Sequence, residues 1–344
     1  MNRERLQDID RAKGLAIFFF LLGHLTLGSR PADNDWYIFL ETLIYKFHMP
    51  FFMFISGFVF LYSFPEEMKS AKDYLIFIKR RFIRLMPAFF LFSVLICAGK
   101  ILFDAFLLVD NIPASFIEGI TKIIFTPTVS SGKSLWYVYV LFLYQLIFVP
   151  LIIVFRKRLS LLLLLGALIH LCYIFKIILP ATNYFAMDHA KQYFLAFSLG
   201  IFLASNRNTY IKLIDKYHYT FIFMFLGSFF ILMFGVNLSF DISHSISKLV
   251  IGILSIPALH SLVRSPLFDD SNILLALGKY TFPIYLMNTI AIGLTKGIIL
   301  KFVTWDGPNF VFIAPILLFS GIFIPILIKK YIFPKVRALD IIIN

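Results

Sequence analysis

The chain has 344 residues, 60% hydrophobic and 15% charged, with a formal net charge of +13 and a mean hydropathy of +0.87. Apolar content so far above that of a soluble domain indicates an integral membrane protein. The positive charge does not indicate a nucleic-acid partner: basic residues cluster in short loops beside apolar runs, and 43 Phe against 3 Trp is packed or lipid-facing bulk, not a base-stacking set.

Crossing a hydrocarbon core takes roughly 20 residues. Runs of about that length fall near 15–30, 45–64, 86–108, 135–155, 159–180, 190–206, 218–238, 245–263, 281–300 and 310–332. The expectation is an all-α polytopic protein of about ten transmembrane helices, since backbone groups in lipid must be satisfied within the segment. No long polar linker and no internal repeat divides it, so residues 1–344 read as a single transmembrane domain. Cys97 and Cys172 lie inside apolar runs and indicate no disulfide framework. The basic N-terminus resembles a signal peptide without an A-x-A-like cleavage site, which reads as an uncleaved first span.

Lys and Arg set the orientation. With the N-terminus inside, the inner loops receive Arg3, Arg5, Arg11 and Lys13, then Lys69 to Arg84, Arg156 to Arg158, Arg207 to Lys216, Arg264, and Lys329 to Arg337. The outer loops hold Asp33, Asp35, Glu41, Asp110, Glu118, Asp188, Asp241 and Asp306. Both termini are therefore expected in the cytoplasm and the protein in the cell membrane. The longest outer connection, 110–134, carries apolar residues at helical spacing, which suits an interfacial helix or a lid over an outer cavity.

In the first span, Lys13 and His24 stand eleven residues apart, about 16 Å of rise and nearly three whole turns, so they share one helical face. Lys13 alone is equally a snorkelling anchor; an imidazole within a span is costly and faces the protein interior or a functional cavity. The stretch Phe47–Phe58, FHMPFFMFISGF, adds His48, expected near the outer end of the second span, then a kink at Pro50 and Ser56-Gly57 at a close helix contact. In KRRFIRLMP, Arg81 and Arg84 project from neighbouring positions on one face, where guanidinium forks suit phosphate oxygens or anionic headgroups. Trp136 and Tyr137 open the fourth span where an outer aromatic belt is expected. Near the end, LGKYTFPIYLMN places Lys279, Tyr280 and Asn288 in an apolar frame, Asn288 reading as helix-to-helix glue.

These segments carry a resemblance. D-x-A-K-G-L-A-I with L-G-H, then F-H-M-P-x-F-x-x-I-S-G-F, R-R-x-x-R-x-x-P, L-W-Y and L-G-K-x-x-x-x-I-Y-L, in that order, resemble the type 3 membrane acyltransferase family, in particular its fucose 4-O-acetylase-like branch. The resemblance implies transfer of an acyl group, most simply acetyl, from cytosolic acyl-CoA to a hydroxyl of a cell-surface or lipid-linked glycan. Its basic-x10-His motif falls on Lys13 and His24, and its third-span arginine pair on Arg81 and Arg84. Many relatives end the last motif in His, where this chain has Asn288, which is left out of the catalytic set.

Joined, the two readings place coenzyme A phosphates on Lys13, Arg81 and Arg84 and the thioester near His24, acting as general base or as a transient acyl carrier. Ser56, Tyr137 and Tyr280 are candidates for the oxyanion donor, with His48 and Trp136 in supporting places. No P-loop, metal-ligand spacing or Ser-His-Asp arrangement competes, and no metal is expected. The alternatives are a glycan or solute transporter, for which His24 and His48 would line the path, and a structural subunit of a polysaccharide-synthesis assembly.

Overall fold

A computed structural model describes residues 6–65, 68, 70–104, 106, 110–177, 183–234 and 240–343. Arg3, Arg5 and Lys69, the side chains of Asp241 and Arg337, and the last turns expected for the third, fifth and seventh spans lie outside the described part. Among the described residues there is no strand. The helices are α1 Gln7–His24, α2 Asp35–Ser63, α3 Ala71–Phe103, α4 Phe116–Phe125, α5 Trp136–Phe155, α6 Leu159–Phe175, α7 Met187–Ser205, α8 Arg207–Lys216, α9 His218–Phe234, α10 Phe240–Leu262, α11 Asn272–Lys279, α12 Thr281–Ile299, α13 Gly307–Leu327 and α14 Arg337–Ile343.

Each run expected to cross the membrane holds a helix, and six helical segments are long and apolar enough to do so: Asp35–Ser63, Ala71–Phe103, Lys133–Phe155, Ser245–Leu262, Thr281–Ile299 and Gly307–Lys335. The remaining four helices on expected spans differ for physical reasons. Helices α6 and α9 have only 17 residues each, while α1 carries Asp8, Asp10, Arg11 and Lys13, and α7 carries Asp188 and Lys191. The protein is an all-α, multi-pass membrane protein.

Local starts follow capping chemistry. Ser70 and Asp73 close a reciprocal capping box on α3, and Ser115 and Ser271 accept from the backbone N–H of Glu118 and Leu274, satisfying donors that the first helical turn leaves orphaned. The connection 110–134 does form a helix. Its Gly119 lies against Cys97 of α3, and Tyr139 of α5 donates to the Ile124 carbonyl, while Ile117 stays exposed.

Helix α1 is the hub. It packs on α2, α10, α11, α12 and α13, and Ala12, Ala16, Ile17 and Leu21 are fully buried, as the apolar run that follows Lys13 requires. Two backbone-to-backbone contacts fix its neighbourhood. A Cβ at Gly14 would overlap the Leu274 carbonyl, and one at Gly278 the Asp10 carbonyl, so α1 and α11 touch through reciprocal glycines; Gly57 and Gly200 do the same between α2 and α7. The expected close contact at Gly57 is present, with Phe197 of α7 as its partner.

Candidate active site

Helix α1 ends at His24, six residues before the apolar run does. The reason lies in other helices. Tyr37 and Tyr45 hydroxyls donate to the Leu22 and Gly23 carbonyls at 2.5 and 2.7 Å. The Lys296 ammonium donates to the carbonyls of Leu25, Leu27 and Ser29 at 3.4, 3.2 and 2.8 Å and lies 4.5 Å from the Trp305 ring centroid. Trp305 Nε1 also donates to Ser29. Side-chain donors thus satisfy carbonyls that a helix end leaves orphaned, which allows an interrupted backbone inside the bundle, and a cation suits the negative pole of the helix. Because Tyr45 lies ten residues inside α2, about 15 Å along it, His24 sits well within the bundle although it closes its helix.

His24 is 6% exposed and Asn288 is 0%. His24 Nδ1 lies 3.0 Å from Asn288 Oδ1, and Asn288 Nδ2 donates to the carbonyls of Ile284 and Tyr285 at 3.0 and 2.7 Å. Both amide protons go to acceptors, so the amide oxygen faces His24 and accepts from Nδ1–H. The imidazole is therefore held as the Nδ1–H tautomer, with a lone pair on Nε2. Asn288, set aside at the sequence level, is the orienting partner of His24; only the packing of α12 against α1 reveals it.

His48 is not near the outer end of α2. That helix begins at Asp35, so His48 falls at its midpoint, 2% exposed, with Nδ1 2.7 Å from the Ile44 carbonyl. A carbonyl only accepts, so His48 also carries its proton on Nδ1 and a lone pair on Nε2. The Phe20 ring neighbours both histidines, 3.9 Å from His24 and 6.2 Å from His48 by ring centroids.

Ser56 and Tyr137 are hydrogen-bonded to each other, two turns beyond His48 on α2. The Tyr137 ring lies 5.3 Å from that of Tyr285, which in turn lies 5.0 Å from Phe20. Tyr285 donates to the Ser134 carbonyl and accepts from the Tyr137 backbone N–H, while Thr289 donates to the Ser134 hydroxyl. The turn that opens α5 is thereby docked on α12 beside Asn288. Trp136 and Tyr137 make ring contacts with other helices: Trp136 stacks on Tyr193 at 5.3 Å and lies 4.3 Å from His189.

Tyr280 belongs elsewhere. It follows α11, whose Gly278 abuts Asp10, about 21 Å of helix rise from His24. The tyrosine that adjoins Phe20 and the His24–Asn288 pair is Tyr285, which sequence reasoning missed; its spacing of three residues from Asn288 puts both on one face of α12 and was the available signal.

The basic residues lie at the other end of α1. Lys13 pairs with Asp10 at 3.0 Å. Arg81 donates to Ser63 at 2.7 Å and lies over the Phe77 ring; exposed Arg84 is its neighbour. No hydrogen bond or ion pair joins Lys13 to Arg81 or Arg84: α1 and α3 share α12 as a neighbour. A second cluster was not anticipated. Buried Asp8 lies 3.1, 3.4 and 3.5 Å from Arg264, Arg207 and His260, and Arg11 reaches Asp269 at 2.6 Å. Burial acts to raise the Asp8 pKa, but the hydrogen bond and charge of His260 with the two guanidinium groups outweigh it and hold the carboxyl well below the usual range.

Among the described residues no group of His, Cys, Asp and Glu is arranged to hold a metal. No curated protein and no solved structure matches the chain. The family profile described as an acyltransferase domain matches residues 6–330. With that match over nearly the whole chain, the protein belongs to the type 3 acyltransferase family and is a membrane-embedded acyltransferase.

Proposed function

We propose that the protein is an O-acetyltransferase that takes acetyl from acetyl-CoA on the cytosolic side and passes it to a hydroxyl of a cell-surface or lipid-linked glycan. The observation that carries this reading is the pair His24–Asn288, which presents an imidazole lone pair inside the bundle, on the helix whose other end carries Lys13. Arg81 and Arg84, two adjacent guanidinium groups with no carboxylate partner among the described residues, suit the phosphates of coenzyme A. The basic end of the bundle faces the cytosol, consistent with the charge asymmetry of the loops.

His24 Nε2 takes the proton from the acceptor hydroxyl as its oxygen closes on the thioester carbonyl. Tyr137 turns its O–H from Ser56 to the oxyanion of the tetrahedral intermediate. On collapse the C–S bond breaks, and the His24 imidazolium returns the proton to the departing thiolate. Asn288 keeps its hydrogen bond to Nδ1–H throughout and so steadies the charged ring.

The test is a His24→Ala variant that inserts normally, read by mass spectrometry of surface glycans. Loss of acetyl groups with glycan export intact supports transfer. An unaltered acetyl pattern removes His24 from the chemistry, and lost export with acetylation retained favours a transporter.

A further inference from the structure

Between α2, α6, α7 and α10 lies a small, partly open cavity of ≈ 20 Å³, lined by Pro50, His170, Gln192, Tyr193, Lys248 and Gly252 among others; that is room for a group the size of one oxyanion, with the rest of a ligand lying outside it. It stands apart from the basic mouth: Lys248 is twelve residues before His260 on α10, about 18 Å of rise, and His260 is the residue beside Asp8. It stands close to the reacting end, for Pro50 follows His48 by two residues, and His48 lies within electrostatic reach of both Lys248 and His24.

Among the described residues the cavity is electropositive. Among the described residues, the Lys248 ammonium has no hydrogen-bond or ion-pair partner and faces the Tyr193 ring at 5.2 Å. Lys46 is in electrostatic contact with it and is held by the Ser247 hydroxyl at 2.5 Å. The nearby acid, Asp188, is engaged by Lys191 at 2.6 Å. His170, 8% exposed, rests against the Gln192 backbone, and its Nδ1 has no hydrogen-bond partner among the described residues. A half-buried cation with no counter-charge and a buried imidazole nitrogen with no partner among the described residues are costly unless a ligand completes them. Tyr193, which lines the cavity, stacks on Trp136, itself 4.3 Å from His189, so an aromatic group of the kind against which sugars lie adjoins it.

We infer that this cavity is the acceptor subsite and that it takes an oxyanion, either the carboxylate of an acidic sugar or the phosphate of a lipid-linked one, with Lys248, Lys46 and His170 as its recognising groups. The inference rests on the acetyltransferase reading for its direction, since it names the acceptor as an anionic glycan whose hydroxyl is then presented to His24.

Full-length protein in lipid nanodiscs is titrated by thermal shift with sodium glucuronate, glucose and inorganic phosphate, and in a parallel arm with polyprenyl phosphate incorporated in the disc. Glucuronate or a phosphate should stabilise the protein where glucose does not. Lys248→Gln and His170→Phe should weaken that binding at least about tenfold, and Lys248→Arg should retain it. Response to glucuronate alone assigns an acidic sugar, and response to polyprenyl phosphate alone assigns a lipid carrier. Equal stabilisation by glucose, or anion binding unchanged in Lys248→Gln, overturns the inference. Acetyl-CoA titrated against the same samples separates the two readings: anion binding that depends on Lys248 in a protein that acetyl-CoA does not stabilise upholds the subsite and sinks the acetyltransferase.

Discussion

Asn288 accepts a hydrogen bond from His24 at 3.0 Å across 264 residues of sequence, and its two amide protons are spent on the carbonyls of its own helix. A neutral amide fixed in this way dictates the imidazole tautomer without adding a charge to the interior.

Asn288→Leu should therefore lower kcat for acetyl transfer on the order of 10²-fold while leaving the KM for acetyl-CoA near wild type. Steady-state kinetics on reconstituted protein reads this split. An equal rise in KM would show that Asn288 acts on donor binding instead.

Lys296 holds three carbonyls beyond the end of α1. Lys296→Met keeps the length and removes every donor, at about 1–3 kcal/mol for each buried acceptor left unsatisfied. The melting temperature of the detergent-solubilised protein should fall by several degrees. Lys296→Arg, which keeps donors, should recover most of that loss.

Arg81→Ala with Arg84→Ala should abolish stabilisation by acetyl-CoA in a thermal-shift titration, because the pair supplies the phosphate contacts in the proposed site. Retention of wild-type affinity would move the donor site to another part of the basic end, where the Arg207–Arg264 cluster is the next place to look.

Asp8 gives a pH signature. Its folded pKa is depressed, so its contribution to stability is present above its unfolded value, near 3.8, and is lost as pH falls through the folded value. Asp8→Asn should destabilise the protein at pH 7 by about 3 kcal/mol, since it removes the buried charge that faces Arg207, Arg264 and His260, although Arg264 keeps its pair with Asp215. The gap in melting temperature between variant and wild type should narrow as the pH is brought down below 4.

Two glycines should respond oppositely to alanine. A Cβ at Gly278 would overlap the Asp10 carbonyl, whereas one at Gly99 meets nothing within 4 Å. Gly278→Ala should cost several kcal/mol by parting α11 from α1, and Gly99→Ala should be neutral or stabilise α3 by about 0.5–1 kcal/mol. Thermal denaturation of the two variants side by side checks the contrast.

Part of the candidate site's placement was legible in the chain. Lys13 and His24 share a face because helical periodicity requires it, whereas the contact between Ser56 and Tyr137 depends on the packing of α5 against α2. The misplacements have physical causes. Tyr280 is polar and within the last motif, yet the α11–α12 junction leaves it level with Asp10. His48 looked peripheral because the apolar run starts late, whereas the helix begins at Asp35 and includes polar Glu41 and Lys46. Neither error is visible in hydropathy, which reports where a helix is apolar and not where it begins or what it packs against.

The sequence by itself determined the class: an apolar majority and runs of about 20 residues leave helices as the only economical way to satisfy a backbone in lipid, and the order of motifs points to the family. Only the tertiary structure decided where α1 stops and how His24 is held. Its end depends on Lys296, Tyr37, Tyr45 and Trp305, and its tautomer on Asn288. A helix continues by its own hydrogen bonds unless other donors take its carbonyls. Which donors arrive is settled by packing between segments far apart in the chain.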